Sequence, residues 1–286
     1  MMSTCFYTII QAQEAVAAWR ADEQKVALVP TMGGLHDGHL ALVEAALATH
    51  ERVVISIYVN PTQFAAHEDL ENYPRNMAAD QAALARFGDK VSLFAPSSLY
   101  GDGHATMITP QGAALPLEGV HRPHFFTGVA TVVFKLFQAV PADSAFFGEK
   151  DFQQLAVIRQ MVRDFDLPIT IENVPTRRAA DGLALSSRNT YLSCEERAIA
   201  PLIYQQMKAC AKAIAAGAEV QSACDAALAE LREAGATKVD YFVFCDAQTL
   251  QLAESIEKTS RLLVAIWLGE TRLIDNDSFE KLCNAQ

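Results

Sequence analysis

The chain has no cysteines in C-x-x-C spacing, no basic balance and no long apolar run. Its six cysteines (Cys5, Cys194, Cys210, Cys224, Cys245 and Cys283) are scattered. Neither a redox dithiol motif nor a zinc ribbon is written there, and reduced thiols in a cytoplasmic protein are the expectation. The formal net charge is −11. A general nucleic-acid binder needs a basic face to neutralise phosphates, so that class is set aside; a small phosphorylated ligand held by a few local donors is not. The longest apolar stretch, Leu262 to Leu268, is far short of a membrane span. Met1 to Arg20 lacks a basic start, and Gln11, Gln13 and Glu14 interrupt its apolar residues, so it does not read as a signal peptide. No G-x-S-x-G, no G-K-[ST] phosphate loop, no dinucleotide glycine spacing and no H-E-x-x-H occurs.

What is present is the composition of a soluble globular protein, 51% hydrophobic and 20% charged. At 286 residues it is long enough for two domains. The first half alternates strand-like and helix-like runs. Strands are expected at Val26–Val29, Val53–Val59, Val91–Phe94, Ser144–Phe147 and Ile169–Val174. Helices are expected at Leu40–Ala48, Ala78–Phe87, Val129–Ala139 and Phe152–Asp164. That alternation implies βαβ units on a parallel sheet, whose ligands bind at the carboxyl ends of strands near a topological switch point. After Pro175 the pattern changes. A polar loop, Thr176–Asn189, precedes two Ala-rich helices, Cys194–Ala216 and Ser222–Glu233. Strands then follow at Val239–Cys245, Arg261–Leu268 and Thr271–Asp275, with Gly269-Glu270 suited to a two-residue hairpin turn. The fold class expected is α/β: a parallel-sheet domain over residues 1–175 and a smaller α+β domain over residues 176–286.

All seven histidines lie before residue 125, and four form i, i+3 pairs: His36 with His39, and His121 with His124. The first pair stands in Met32-Gly33-Gly34-Leu35-His36-Asp37-Gly38-His39, after the first strand and before a helix. Glycines let the backbone approach a ligand closely, and a helix start offers amide N–H groups and a positive dipole end to phosphate. Two imidazoles there can donate to phosphoryl oxygens as charge moves. Gly148-Glu149-Lys150-Asp151 repeats the strand-to-helix arrangement, with Lys150 as a point cation. Leu185-Ser186-Ser187-Arg188 sets two hydroxyls and a guanidinium on a loop, able to close over a triphosphate. Asp80 lies on a helix where it serves either as an Mg²⁺ ligand or as an ordinary solvated carboxylate.

Taken in order, Pro30–His39, Val59-Asn60-Pro61-Thr62-Gln63-Phe64, Tyr73-Pro74-Arg75, Phe147–Gln154 and Asp181–Asn189 resemble the motifs of the pantothenate synthetase family, within the H-x-G-H nucleotidyltransferase superfamily. The resemblance runs from about Val26 to Asn276. It implies a Rossmann-like first domain carrying ATP and pantoate, a second domain acting as a lid, a homodimer, and ATP with Mg²⁺ as cofactors. The activity it implies is condensation of pantoate with β-alanine through a pantoyl-adenylate, releasing AMP and pyrophosphate. His36, His39, Lys150, Ser186, Ser187 and Arg188 would act on the phosphates. Met32 to His39, Gly148 to Asp151, Arg177 (through its backbone) and Leu185 to Arg188 would line ATP. Gln63, Gln154 and Arg122 would hold pantoate. Two other readings are a nucleotidyltransferase that stops at an adenylylated product and a zinc hydrolase built on His36, His39, His121 and His124. Gln63, Gln154 and the Ser-Ser-Arg loop argue against the first; the second would need all four histidines to converge, and no H-E-x-x-H is present.

One segment departs from the family pattern Arg-Pro-x-His-Phe-x-Gly-Val. Here it reads Arg122-Pro123-His124-Phe125-Phe126-Thr127-Gly128-Val129, so the histidine comes one place early and Phe125 takes its slot. If the segment is extended, His124 faces the opposite way from the family's imidazole.

Overall fold

Four apolar runs in the first half are too short for helices and have no polar face: VALVPT, RVVISI, VSLF and SAFFG. Buried on both sides, such runs suit the inner strands of a parallel sheet. In the computed structural model, which describes residues 4–65, 68–253 and 255–285, they do form one. The elements in chain order are β1 (Cys5–Phe6), α1 (Ile9–Ala21), β2 (Val26–Thr31), α2 (Asp37–Leu47), β3 (Arg52–Ile57), α3 (Met77–Leu84) and β4 (Val91–Phe94). Next come α4 (Glu118–His121), α5 (Phe125–Ala139), β5 (Ser144–Gly148), α6 (Phe152–Asp164) and β6 (Thr170–Val174). The six-stranded sheet is parallel throughout, in the order β1-β4-β3-β2-β5-β6. From β2 the chain moves outward through β3 to β4, then returns to lay β5 on the other side of β2. The carboxyl ends of β2 and β5 therefore flank the switch point, and both glycine-bearing motifs leave from there.

The edge strand β6 has mostly exposed and half-buried residues, with Thr170, Glu172 and Asn173 facing water. Helix α1 is an addition to the sequence expectations, although its start is written locally. Thr8 accepts the Gln11 amide and Gln11 reaches back to Thr8, a capping box.

The chain divides into two compact units, Met1–Glu149 with Gln153–Pro175, and Lys150–Phe152 with Thr176–Gln286. In the second, α7 (Cys194–Ile199), α8 (Leu202–Ala215) and α9 (Val220–Glu233) precede the antiparallel sheet β7 (Ala236–Cys245), β8 (Arg261–Leu268) and β9 (Thr271–Ser278), and α10 (Phe279–Asn284) closes it. The single helix expected over Cys194–Ala216 is two, broken before Leu202. Pro201 lacks the N–H that a continuous helix needs and its ring clashes with the preceding turn. Gly269-Glu270 does turn the β8–β9 hairpin, with Gly269 at φ +55° and Leu268 paired to Thr271. Met207, Leu231, Phe244, Leu262 and Ile266 are among the residues filling the core of this unit. Cys210 and Cys224 meet there as thiols with Sγ atoms 3.7 Å apart. No helix among the described residues is long and apolar enough to cross a membrane.

Candidate active site

The first motif begins where β2 ends. The Thr31 hydroxyl donates to the Ser56 carbonyl (2.6 Å) and accepts the Gly33 N–H (3.2 Å). Gly33 and Gly34 then take φ of +86° and +62°, conformations that L side chains rarely adopt. A Cβ on Gly33 would lie 2.9 Å from Ile57 Cγ2 and 3.0 Å from Asp80 Oδ2. The turn aims the next two amides at that carboxylate: Gly34 N–H donates to Oδ2 at 3.1 Å and Leu35 N–H to Oδ1 at 2.7 Å. Asp80 is only 4% exposed, so it is no solvated helical carboxylate. Both of its oxygens fasten the glycine turn.

At the start of α2 the side chain of His36 does what Ser or Asp does at most helix starts. Its Nδ1 accepts the Gly38 N–H (3.1 Å), while the His36 N–H donates to His39 Nδ1 (3.3 Å). The His39 and Leu40 amides donate to the His36 carbonyl. The expectation of open amides at the start of α2 is therefore corrected for Gly38, His39 and Leu40. The amides of Gly33, Gly34, Leu35, His36, Gly38, His39 and Leu40 all donate within the protein. What the turn presents instead is two imidazoles with ring centroids 4.1 Å apart. A nitrogen that accepts an N–H carries no proton, so with Nδ1 accepting, the ring proton belongs on Nε2, where each imidazole can donate.

Gln63 ends the short 3-10 turn Pro61–Gln63, which Asn60 caps. Its Oε1 accepts from Asn60 Nδ2 (3.2 Å), and its Nε2 donates to Met32 Sδ (3.0 Å). A thioether is a weak acceptor, so that donor exchanges readily for a carboxylate or hydroxyl oxygen. Gly128, on α5, lets the helix reach this turn. A Cβ there would overlap the Thr62 carbonyl oxygen and sit 2.7 Å from the Gln63 nitrogen. Asn60 also donates to the Gly128 carbonyl (3.1 Å). Sequence reasoning gave Gly128 no role: it stood only as the glycine of the Arg-Pro-x-His-Phe-x-Gly-Val pattern, just before the helix expected at Val129. Gly128→Ala should push turn and helix apart at a cost of about 1–3 kcal/mol. It should also raise KM for the acid that Gln63 is expected to hold more than KM for ATP. Equal shifts in both KM values, measured beside urea unfolding, would detach Gly128 from Gln63.

Arg122 is held by acids. It makes two short bonds to Glu68 (2.7 and 2.6 Å), lies 3.7 Å from Glu118 and donates to the Gln63 carbonyl at 3.3 Å. Burial acts to raise the Glu68 pKa, and the hydrogen bonds and charge of Arg122 outweigh it, leaving the carboxyl below its ordinary value. That pair is fully formed above the ordinary carboxylate pKa and is lost as pH falls through the depressed one. The guanidinium is neutralised by protein carboxylates, and what it steadies is the backbone of Gln63.

Phe125 lies beneath Arg122, its ring centre 3.9 Å from the guanidinium carbon. The extended geometry considered for this segment is not found. Arg122 leads through a tight turn, His124 sits at φ −86°, ψ −18°, and helix α5 starts at Phe125. A one-place shift here rotates a side chain by about 100° instead of reversing its face. Nε2 of His124 is buried with no hydrogen-bond partner.

The two neighbouring glutamines on α6 differ. Gln153 is 4% exposed and fully engaged, accepting from Glu118 N and donating to the carbonyls of Ala113 and Pro116. Gln154 is half-buried, and among the described residues its amide has no hydrogen-bond partner. Glu149 accepts from Asn173 Nδ2 at 2.6 Å.

In the second unit, the Lys150 ammonium is 3.7 Å from the Asp151 carboxylate and largely buried. The loop after Pro175 is a tight hairpin turn: Leu185 N–H donates to the Arg177 carbonyl (2.9 Å), Ala179 pairs with Leu183, and Gly182 takes φ +94°. Ser186 then caps the short turn Ser187–Tyr191 by accepting the Arg188 N–H at 3.3 Å. Among the described residues no group of three or more His, Cys, Asp or Glu is arranged to hold a metal ion.

Residues 4–278 match the family model of pantoate-β-alanine ligase. A pantothenate synthetase of Caulobacter vibrioides is 51% identical over 274 residues, 94% of this chain and 96% of its own length. The crystal structure of the Thermus thermophilus pantothenate synthetase is similar with a TM-score of 0.90 at 41% identity, covering 96% of this chain and 99% of that one. A Francisella tularensis pantoate-β-alanine ligase, crystallised with β,γ-ATP and β-alanine, gives a TM-score of 0.80 at 33% identity, covering 97% and 98%.

Proposed function

The chain belongs to the pantoate-β-alanine ligase family, and on that premise we propose that it uses ATP to join pantoate to β-alanine through a pantoyl-adenylate. The observation that supports this best is the imidazole pair, whose Nδ1 atoms are both taken by backbone amides. Such rings offer Nε2–H donors to phosphoryl oxygens without having to reorient during the reaction. A pantoate carboxylate oxygen attacks the α-phosphorus of ATP, and pyrophosphate leaves. His36 and His39 stabilise the charge that builds on the phosphates, as do Lys150, Ser186, Ser187 and Arg188. Gln63 and Gln154 orient the acid, the first by exchanging its thioether bond, the second through an amide with no internal partner among the described residues. The amine of β-alanine then attacks the activated carbonyl, and AMP departs. No enzyme nucleophile is called for.

Mg²⁺ is assigned to the triphosphate and water and not to Asp80, whose two oxygens are committed to the glycine turn. This gives a separate expectation. Asp80→Asn keeps the shape but can accept from one amide only, so it should slow adenylation and lower stability by about 1–3 kcal/mol, with the Mg²⁺ dependence unmoved. A large rise in the Mg²⁺ concentration needed for half-maximal rate would instead make Asp80 a metal ligand. A homodimer in the cytoplasm is the further reading that family membership favours, and sedimentation tests its first part.

The direct test is AMP release with ATP, pantoate and β-alanine, leaving out each in turn. All three should be required, and ¹⁸O in the pantoate carboxylate should appear in AMP and not in pyrophosphate. Label in inorganic phosphate, with ADP as co-product, would mean an acyl-phosphate route and overturn the adenylate.

A further inference from the structure

Lys150 and the Ser186-Ser187-Arg188 loop are far apart in the chain, yet both are fastened to two adjacent residues of β9. Asp275 and Asn276 are 5% and 3% exposed, deeply buried for such polar side chains. Successive side chains on a strand point to opposite faces, so neighbours can serve two different segments. Asp275 takes Arg178 in a two-pronged pair of 2.6 and 2.9 Å. Arg178 in turn donates to the Gly182 carbonyl (3.2 Å), pairs along the backbone with Ala184 and lies over the Tyr204 ring at 3.5 Å. The hairpin turn that leads into Leu185-Ser186-Ser187-Arg188 is held in this way.

Asn276 is held on one side and holds on the other. Its Oδ1 accepts from Arg261 Nη1, and its Nδ2 donates to the Lys150 carbonyl at 2.7 Å. Arg261 also stacks on the ring of Phe152, two residues beyond Lys150, at 3.9 Å. The amide is oriented by these partners: oxygen toward a cation, nitrogen toward a carbonyl. This is also why Lys150–Phe152 groups with the second unit although it lies between two elements of the first.

We infer that Asn276 is a positioning residue for adenylation, acting through Lys150 by fixing the backbone from which the ammonium projects. The inference rests on the phosphate role proposed above for Lys150. Asn276→Asp is the informative change. It keeps the size and still accepts from Arg261, but it puts an oxygen where the Lys150 carbonyl needs a donor. A catalytic group displaced by part of an ångström loses rate steeply, so pantoate-dependent pyrophosphate release should fall roughly 10- to 100-fold.

A merely structural role would cost the same whether or not the lysine is present, so the test is a double-mutant cycle. Asn276→Asp, Lys150→Ala and the pair are compared in single-turnover pyrophosphate release, with unfolding midpoints measured alongside. The expected result is that Asn276→Asp adds no more than about a twofold loss once Lys150 is alanine. Losses that multiply in the double variant, or that follow the folded fraction, would overturn the inference. Should Asn276→Asp fail to fold, Asn276→Ser removes the donor without adding charge and runs through the same cycle. A wild-type enzyme with no pantoate-dependent pyrophosphate release would sink the proposed activity itself, whereas multiplicative losses in a working enzyme sink only the role of Asn276.

Discussion

His39→Ala is expected to slow pantoyl-adenylate formation by roughly two to three orders of magnitude, the usual cost of removing one donor from developing transition-state charge. Stability should change little. His39 is half-buried, and the backbone amide that its Nδ1 accepts is at the long distance of 3.3 Å. The role assigned to each nitrogen can be separated. Glutamine places a donor near the position of Nε2 but cannot accept the His36 amide as Nδ1 does, so His39→Gln should keep more activity than His39→Ala. Asparagine places its polar group near Nδ1 and offers nothing at Nε2, so His39→Asn should resemble alanine. Single-turnover pyrophosphate release with saturating ATP reads all three. If asparagine rescued and glutamine did not, the imidazole would be a loop fastener and not a phosphate donor.

The largest stability effect is expected at Arg178. Its guanidinium and the Asp275 carboxylate are 14% and 5% exposed as side chains and meet through two short bonds. Burial works against the charged guanidinium, and the hydrogen bonds and charge of Asp275 outweigh it, so its pKa is raised. Arg178→Ala leaves Asp275 buried and stripped of its bidentate partner, with the Asn276 backbone amide still donating to it at 2.7 Å. Breaking a buried pair from one side costs about 3–5 kcal/mol. Removing both charges, as in Arg178→Leu with Asp275→Leu, should cost much less, because no lone ion is left behind. Urea unfolding of the single and double variants checks this. A single variant within about 1 kcal/mol of wild type would mean that water reaches Asp275 and that the pair is worth no more than a surface one.

How far the chain can be read in advance follows from the range of the forces involved. The inner strands are legible because a parallel strand covered on both faces must be apolar at nearly every position, as Val53, Val54 and Ile55 are. The β8–β9 hairpin is legible because a two-residue turn needs a positive φ, which Gly269 supplies. The break at Pro201 is written in the sequence too, but the Ala-rich pattern continues across it and hides it. The helix start at Phe125 is hidden for another reason: His124 makes no capping hydrogen bond that would announce it.

The sequence by itself determined the types and order of the residues proposed for the site: His36-x-Gly-His39 after β2, Lys150 after β5, and Ser186-Ser187-Arg188 beyond Pro175. Local chemistry sufficed for these, because each motif is a turn whose glycines and caps lie within a few residues. Only the tertiary structure decided what each group is free to do. Asp80 meets Leu35 across 45 residues, Arg122 meets Glu68 across 54, and Asn276 meets Lys150 across 126. No spacing or periodicity encodes such pairs, because a buried polar atom takes whichever partner packing brings to it. So Asp80, legible from the sequence either as a metal ligand or as a solvated carboxylate, is found buried with both oxygens fastening the glycine turn. The amides of Gly38, His39 and Leu40, which looked open to phosphate, were already taken, and two imidazoles stand beside them.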